Sequence, residues 1–143
     1  MKQHVVRAGE GPDYDWSQDR IAVKTPMELT DGRVSVVVDS LKPGFHLPAH
    51  RHKSMTEIFH ILEGEVTFAF EDETVTMTPE STVTVPANTR HEVTCSGGGR
   101  LITIFTPGGF EQYLAELAAL TPAQLDDVDF VRALGERYDI WQG

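Results

Sequence analysis

The chain has a single cysteine, Cys95, among its 143 residues. One thiol cannot close an internal disulfide, so stability has to come from packing and, where ligands exist, from metal. Positive charge is also scarce: 12 Lys and Arg stand against 22 Asp and Glu, a formal net charge of −10. A field of that sign repels phosphate backbones and anionic lipid headgroups, and the basic residues are scattered, which argues against nucleic acid or a membrane as partner. Long apolar runs are missing too. No stretch approaches the roughly 20 apolar residues that span a bilayer, and the N-terminal MKQHVVRAGEGPDYDW has no apolar leader. The expectation is a cytoplasmic protein that works on a small molecule.

What is present fits one domain. Hydrophobic residues make up 40% and charged residues 24%, which is ordinary for a globular chain of this length. Residues 1–20 are polar, with Gly9, Gly11 and Pro12, and read as an N-terminal arm. From Ile21 to residue 107 short β-type runs alternate with turn residues. Val34, Val36 and Val38 alternate, as do Val66, Phe68 and Phe70, Val75 and Met77, and Val83 and Val85. Period-two alternation of β-branched and aromatic residues marks half-buried strands. Asp31-Gly32, Pro43-Gly44, Glu63-Gly64, Pro79 and Pro86 punctuate the runs where strands must stop. Strands at about ten-residue spacing predict an all-β sandwich or barrel.

After Pro107 the period changes. Phe110, Tyr113, Leu114 and Leu117 fall on one helical face. Thr121-Pro122-Ala123-Gln124 has the features of a second helix start: a capping threonine, proline at the first helical position and a capping-box glutamine. Val128, Val131, Leu134 and Tyr138 would give that helix an apolar stripe. Residues 108–143 are thus expected to form a helical tail, packed on the β domain or on a partner subunit.

Chemistry concentrates in GFHLPAHRHKSMTEIFHILEG, Gly44 to Gly64. His50 and His52 are two apart, so on a strand both imidazoles leave one face with Cα atoms about 6.6 Å apart. Glu57 opens the next strand, in phase with Phe59 and Ile61, and His91 brings a third imidazole after the Pro86-Ala87-Asn88 turn. Three neutral imidazoles and a carboxylate suit one divalent first-row metal: Fe, Mn, Co, Ni, Cu or Zn. His60 is out of phase with Glu57 and should point away. Cys95 reads as a small buried hydrophobe.

The spacing of Gly44, His50, His52, Glu57 and Gly64 resembles the first motif of the cupin superfamily without a gap. The second motif is met at Pro86 and His91, but Glu80 and Asn88 stand where the family has glycine, and Cys95 where it has asparagine. The tail from Pro107 is similar to extensions on small bacterial cupins related to quercetin dioxygenases. The resemblance implies a double-stranded β-helix, or jelly-roll barrel, over residues 21–107. It also implies metal ligation by His50, His52, Glu57 and His91, and a tendency to form homodimers. The implied activity is that of a dioxygenase acting on an aromatic or polyketide-like molecule, with Glu57 as a base at the metal. Phe45, His46, Phe59 and Phe105 are the candidate pocket wall. A lyase, isomerase or cyclase using the metal as Lewis acid, or a non-catalytic binding protein, is the alternative.

Overall fold

In phase with Glu57, the apolar residues Phe59 and Ile61 are buried on one side of a single strand, and this pattern repeats through the chain. The computed structural model describes residues 2–143. Among them are ten strands: β1 (Asp13–Asp15), β2 (Asp19–Thr25), β3 (Ser35–Leu41), β4 (Phe45–His50), β5 (Thr56–Glu63), β6 (Val66–Phe70), β7 (Thr74–Met77), β8 (Thr82–Val85), β9 (His91–Cys95) and β10 (Gly99–Thr106). Three helices follow: α1 (Phe110–Ala118), α2 (Pro122–Asp126) and α3 (Val128–Arg137).

The strands form two antiparallel sheets. One runs β1-β2-β3-β10-β5-β8 and the other β4-β9-β6-β7. Consecutive strands such as β4 and β5 lie in different sheets, so the chain crosses the sandwich repeatedly, as a jelly roll does. The inner faces meet over Phe59, Ile61, Val66, Phe68, Val93 and Leu101, all buried. Each large side chain there contributes about 1.5–3 kcal/mol by leaving water. A second cluster, around Val23, Val37, Met55 and Phe105, extends the core to Leu114 of α1.

Two glycines let the hairpin ends close. A Cβ on Gly64 would stand 2.5 Å from the carbonyl oxygen of Gly98, and one on Gly99 would stand 2.6 Å from that of Glu63. Backbone meets backbone there, and only glycine leaves room. At the second motif the family glycines are replaced, yet Glu80 (φ 70°) and Asn88 (φ 64°) both adopt the left-handed conformation that glycine would supply. Such a conformation is common for Asn and costly for Glu.

Four expectations are corrected. The arm does not run to residue 20. β1 lies on the outer edge of the larger sheet, where Asp13 pairs with Arg20 and Asp15 with Lys42. An edge strand held by charges lacks the apolar alternation that would mark it. In β3 the buried phase is the opposite one: Ser35, Val37 and Leu41 are buried, while Val36 and Val38 are only half-buried. A valine run permits either phase, and here the polar contacts decide. The Oγ of Ser35 donates to Glu111 Oε2 of α1 at 2.6 Å. The second helix is broken in two. Thr121 and Gln124 form the capping box, but Asp127 leaves the helical conformation and caps α3 by accepting from Phe130 N–H. Val128 is accordingly 66% exposed, outside any buried stripe. Finally, β4 stops at His50, and His52 lies beyond it in the turn towards β5.

Candidate metal centre

Three separate elements deliver the cluster. His50 ends β4, His91 begins β9 directly opposite it in register, and Glu57 lies on β5 of the other sheet. His52 follows from the turn. All four side chains are buried, His91 completely. One ligand atom from each lies within 4.8 Å of all the others. Donors about 2.1 Å from a common ion stand at most about 4.2 Å apart, so the set is near its closed geometry.

The backbone fixes how each imidazole faces. His50 Nδ1 lies 3.0 Å from the carbonyl oxygen of Pro48, His91 Nδ1 2.8 Å from that of Thr89, and His52 Nδ1 2.8 Å from that of Asp139. A carbonyl only accepts, so in each ring Nδ1 carries the proton and donates. The Nε2 atoms are then left with their lone pairs, as metal-binding histidines held by outer partners require.

Those lone pairs face a negative group. Glu57 Oε1 lies 2.5 Å from His52 Nε2 and 3.2 Å from His91 Nε2. His52 Nε2 is nevertheless buried without a hydrogen bond of proper geometry. Unprotonated nitrogens and a carboxylate repel one another when buried unless a cation or a proton stands among them. Burial pushes the Glu57 carboxyl up, but the contacts with His52 and His91 outweigh it and bring it down to about 2. Burial lowers His50 to about 4, with the neighbouring His91 adding to the effect. Burial also lowers His52, but Glu57 overcomes this and raises it. A divalent ion among these four donors would take up the Nε2 lone pairs and offset the Glu57 charge. The donor set suits a metal.

Two cavities meet at Glu57. The larger, ≈ 270 Å³, lies between the sheets and is lined by Phe45, His46, Phe59 and Phe105 with Asp19 and Asp39. The smaller, ≈ 200 Å³, is bordered by His50, His52, Tyr113 and Ile140. Phe110 of α1 stacks on Phe105, centroids 4.4 Å apart, and helps to close both. His46 is half-exposed, with Nε2 2.5 Å from Glu92 Oε2. His60 faces away from the cluster, its Nδ1 2.9 Å from Thr82 Oγ1. Cys95 is buried, its thiol donating to the carbonyl of Glu65 at 3.2 Å.

Residues 37–106 match the cupin domain family. This chain belongs to the cupin superfamily. Among curated proteins it is similar to quercetin 2,3-dioxygenase of Bacillus subtilis, 28% identical over 115 residues. That match covers 80% of the chain but only 34% of the relative, so the cupin spans about a third of that protein's length. Among solved structures, KdgF from Halomonas sp. superposes with a TM-score of 0.68 at 15% identity, covering 76% of this chain and 99% of that one. An RmlC-like cupin from Shewanella frigidimarina gives 0.67 at 18% identity, covering 78% and 96%. Identities this low speak for the shared fold.

Three residues at the site were not singled out from the sequence. Asp139 holds His52 from the far end of the chain, 87 positions away. Asp19 and Asp39 occupy inward positions of β2 and β3 and line the larger cavity. Burial, the neighbouring Asp19 charge and a hydrogen bond to Asp19 push the Asp39 carboxyl up to about 9. It is therefore a neutral acid at pH 7. The one signal available was polarity, an aspartate closing a run of valines.

Proposed function

We propose that this cupin is a metal-dependent enzyme of the dioxygenase type, acting on a small aromatic or polyketide-like molecule. The observation that supports it is the double position of Glu57, which belongs to the ligand set and also forms part of the wall of the apolar cavity. A divalent first-row ion held by His50, His52, Glu57 and His91 would supply Lewis acidity and, if redox-active, a route for electrons to dioxygen. The remaining roles fall to the chain. Phe45, Phe59 and Phe105 bind a flat apolar substrate and exclude water from its reacting end. Glu57 accepts a proton from an enolic or phenolic hydroxyl at Oε1, and His46 stands at the margin as a polar contact. A cavity of ≈ 270 Å³ limits the substrate to a small molecule.

A second reading is favoured by one specific feature. Asp39, neutral at pH 7, stands with Asp19 in the same cavity, and a carboxyl pair can donate and accept protons. That suits a lyase, isomerase or cyclase step, which moves protons and takes up no oxygen. The discriminating experiment loads the protein with each metal in turn and follows dioxygen consumption against a panel of flavonols and smaller enols. Uptake stoichiometric with substrate loss supports the first reading. Substrate conversion without oxygen uptake supports the second and refutes the first.

A further inference from the structure

The end of the chain folds back onto the metal centre. Asp139 stands at φ 65°, just after α3. Its carbonyl accepts from His52 Nδ1 at 2.8 Å. Its carboxylate accepts from three successive backbone N–H groups, those of Lys53 at 2.7 Å, Ser54 at 2.9 Å and Met55 at 2.9 Å. The indole N–H of Trp141 donates to the same carboxylate at 3.0 Å. Trp141 pairs through its backbone with Arg51 in both directions, at 2.7 and 2.9 Å, and Lys53 Nζ lies 3.6 Å from the centre of its ring. Arg51 and Lys53 are the two sequence neighbours of His52.

His52 differs from the other two histidines in what holds it. His50 and His91 each donate to a carbonyl two residues earlier in their own segment. His52 lies outside any strand and donates to a carbonyl 87 residues away. Its ring orientation therefore depends on where the C-terminal segment sits; the Arg51–Trp141 backbone pair joins that segment to the turn, and the Asp139 carboxylate adds three bonds to it directly after His52.

We propose that Asp139 is a positioning residue of the metal centre: by gathering the N–H groups of Lys53, Ser54 and Met55 it sets its own carbonyl against His52 and aims Nε2 of that ring at the ion. The inference rests on the reading of His50, His52, Glu57 and His91 as metal ligands and adds to it the group that orders the least supported of the four. Outer partners of this kind are worth about 10–100-fold in metal affinity.

The test uses the full chain and Zn(II). Asp139→Gly keeps the carbonyl and suits a positive φ, so it removes the carboxylate alone without backbone strain. Asp139→Asn retains one acceptor oxygen and serves as the conservative variant. Zn(II) affinity is measured by competition with a chromophoric chelator, and exchange of the three imidazole Nδ1–H protons is followed by NMR in the Zn(II)-loaded proteins. The expected result is a loss of about tenfold or more in affinity for Asp139→Gly, a smaller loss for Asp139→Asn, and faster exchange at His52 while His50 and His91 stay protected. Affinity within twofold of the unmodified protein in both variants overturns the inference, as does equal loss of protection at all three rings, which would be general loosening. Should Asp139→Gly not fold, the same two readouts on Asp139→Asn decide. Failure of the unmodified protein to take up Zn(II) would sink the ligand assignment itself, and this inference with it.

Discussion

Replacing Asp39 by Asn should make the protein more stable at neutral pH. Asp39 points inward from β3, and Asp19 reaches it from the neighbouring β2. Its carboxyl, ordinarily near 3.8, is raised to about 9, first by burial and then by Asp19. Between these two values the folded protein keeps a proton that the unfolded chain has released. The folded state binds more protons, so stability falls as pH rises through this window. About three pH units separate 3.8 from neutrality, and at about 1.4 kcal/mol each they set a ceiling of about 4 kcal/mol at pH 7. Asp39 retains part of its surface towards the cavity, and screening there reduces the expected gain to about 1–3 kcal/mol. Asparagine has the same shape, can donate its amide N–H to Asp19, and has no proton to lose. Urea unfolding of both proteins at intervals from pH 4 to pH 8 is the assay. The curves should converge near pH 4 and separate steadily above it, with the variant on top. Parallel curves across that range, or a variant less stable at pH 7, would refute the reasoning.

Other outcomes follow from the same geometry. His91→Ala or His50→Ala should abolish stoichiometric metal uptake with the sandwich still folded, read by elemental analysis and circular dichroism; retained metal in either contradicts the ligand set. Zn(II) affinity should fall with pH from neutrality downwards, because the His52 proton, held more tightly than in a free imidazole, competes with the ion. A constant affinity between pH 5 and 8 in chelator competition would point to other ligands. Gly64→Ala should cost on the order of 2–4 kcal/mol, since its Cβ would meet Gly98 oxygen at 2.5 Å; a thermal midpoint unchanged by the substitution would show that the two turns can part freely.

Much of this was legible beforehand, for a physical reason. Gly44, His50, His52, Glu57 and Gly64 lie in 21 consecutive residues, so local geometry alone restricts where their side chains can go. His91 could be placed because a proline turn precedes it. The opposite limit is Asp139. Nothing within its own helix-ending segment indicates that three N–H groups from residues 53–55 will converge on it, since that contact exists only after the chain has folded back. The phase of β3 was hidden by three adjacent valines, Val36 to Val38, which satisfy either face. Ser35 was settled by a partner in a helix 76 residues on. β1 was invisible because ionic contacts, rather than alternation, hold an edge strand.

Glu57 borders two chambers that also share Leu47, Pro48 and Phe110. One carboxylate is thus approached from two sides, and a compound filling the larger space leaves the smaller one free. Two inhibitors chosen for the separate chambers should bind together rather than compete, and a linker joining them would have to pass directly beside Glu57.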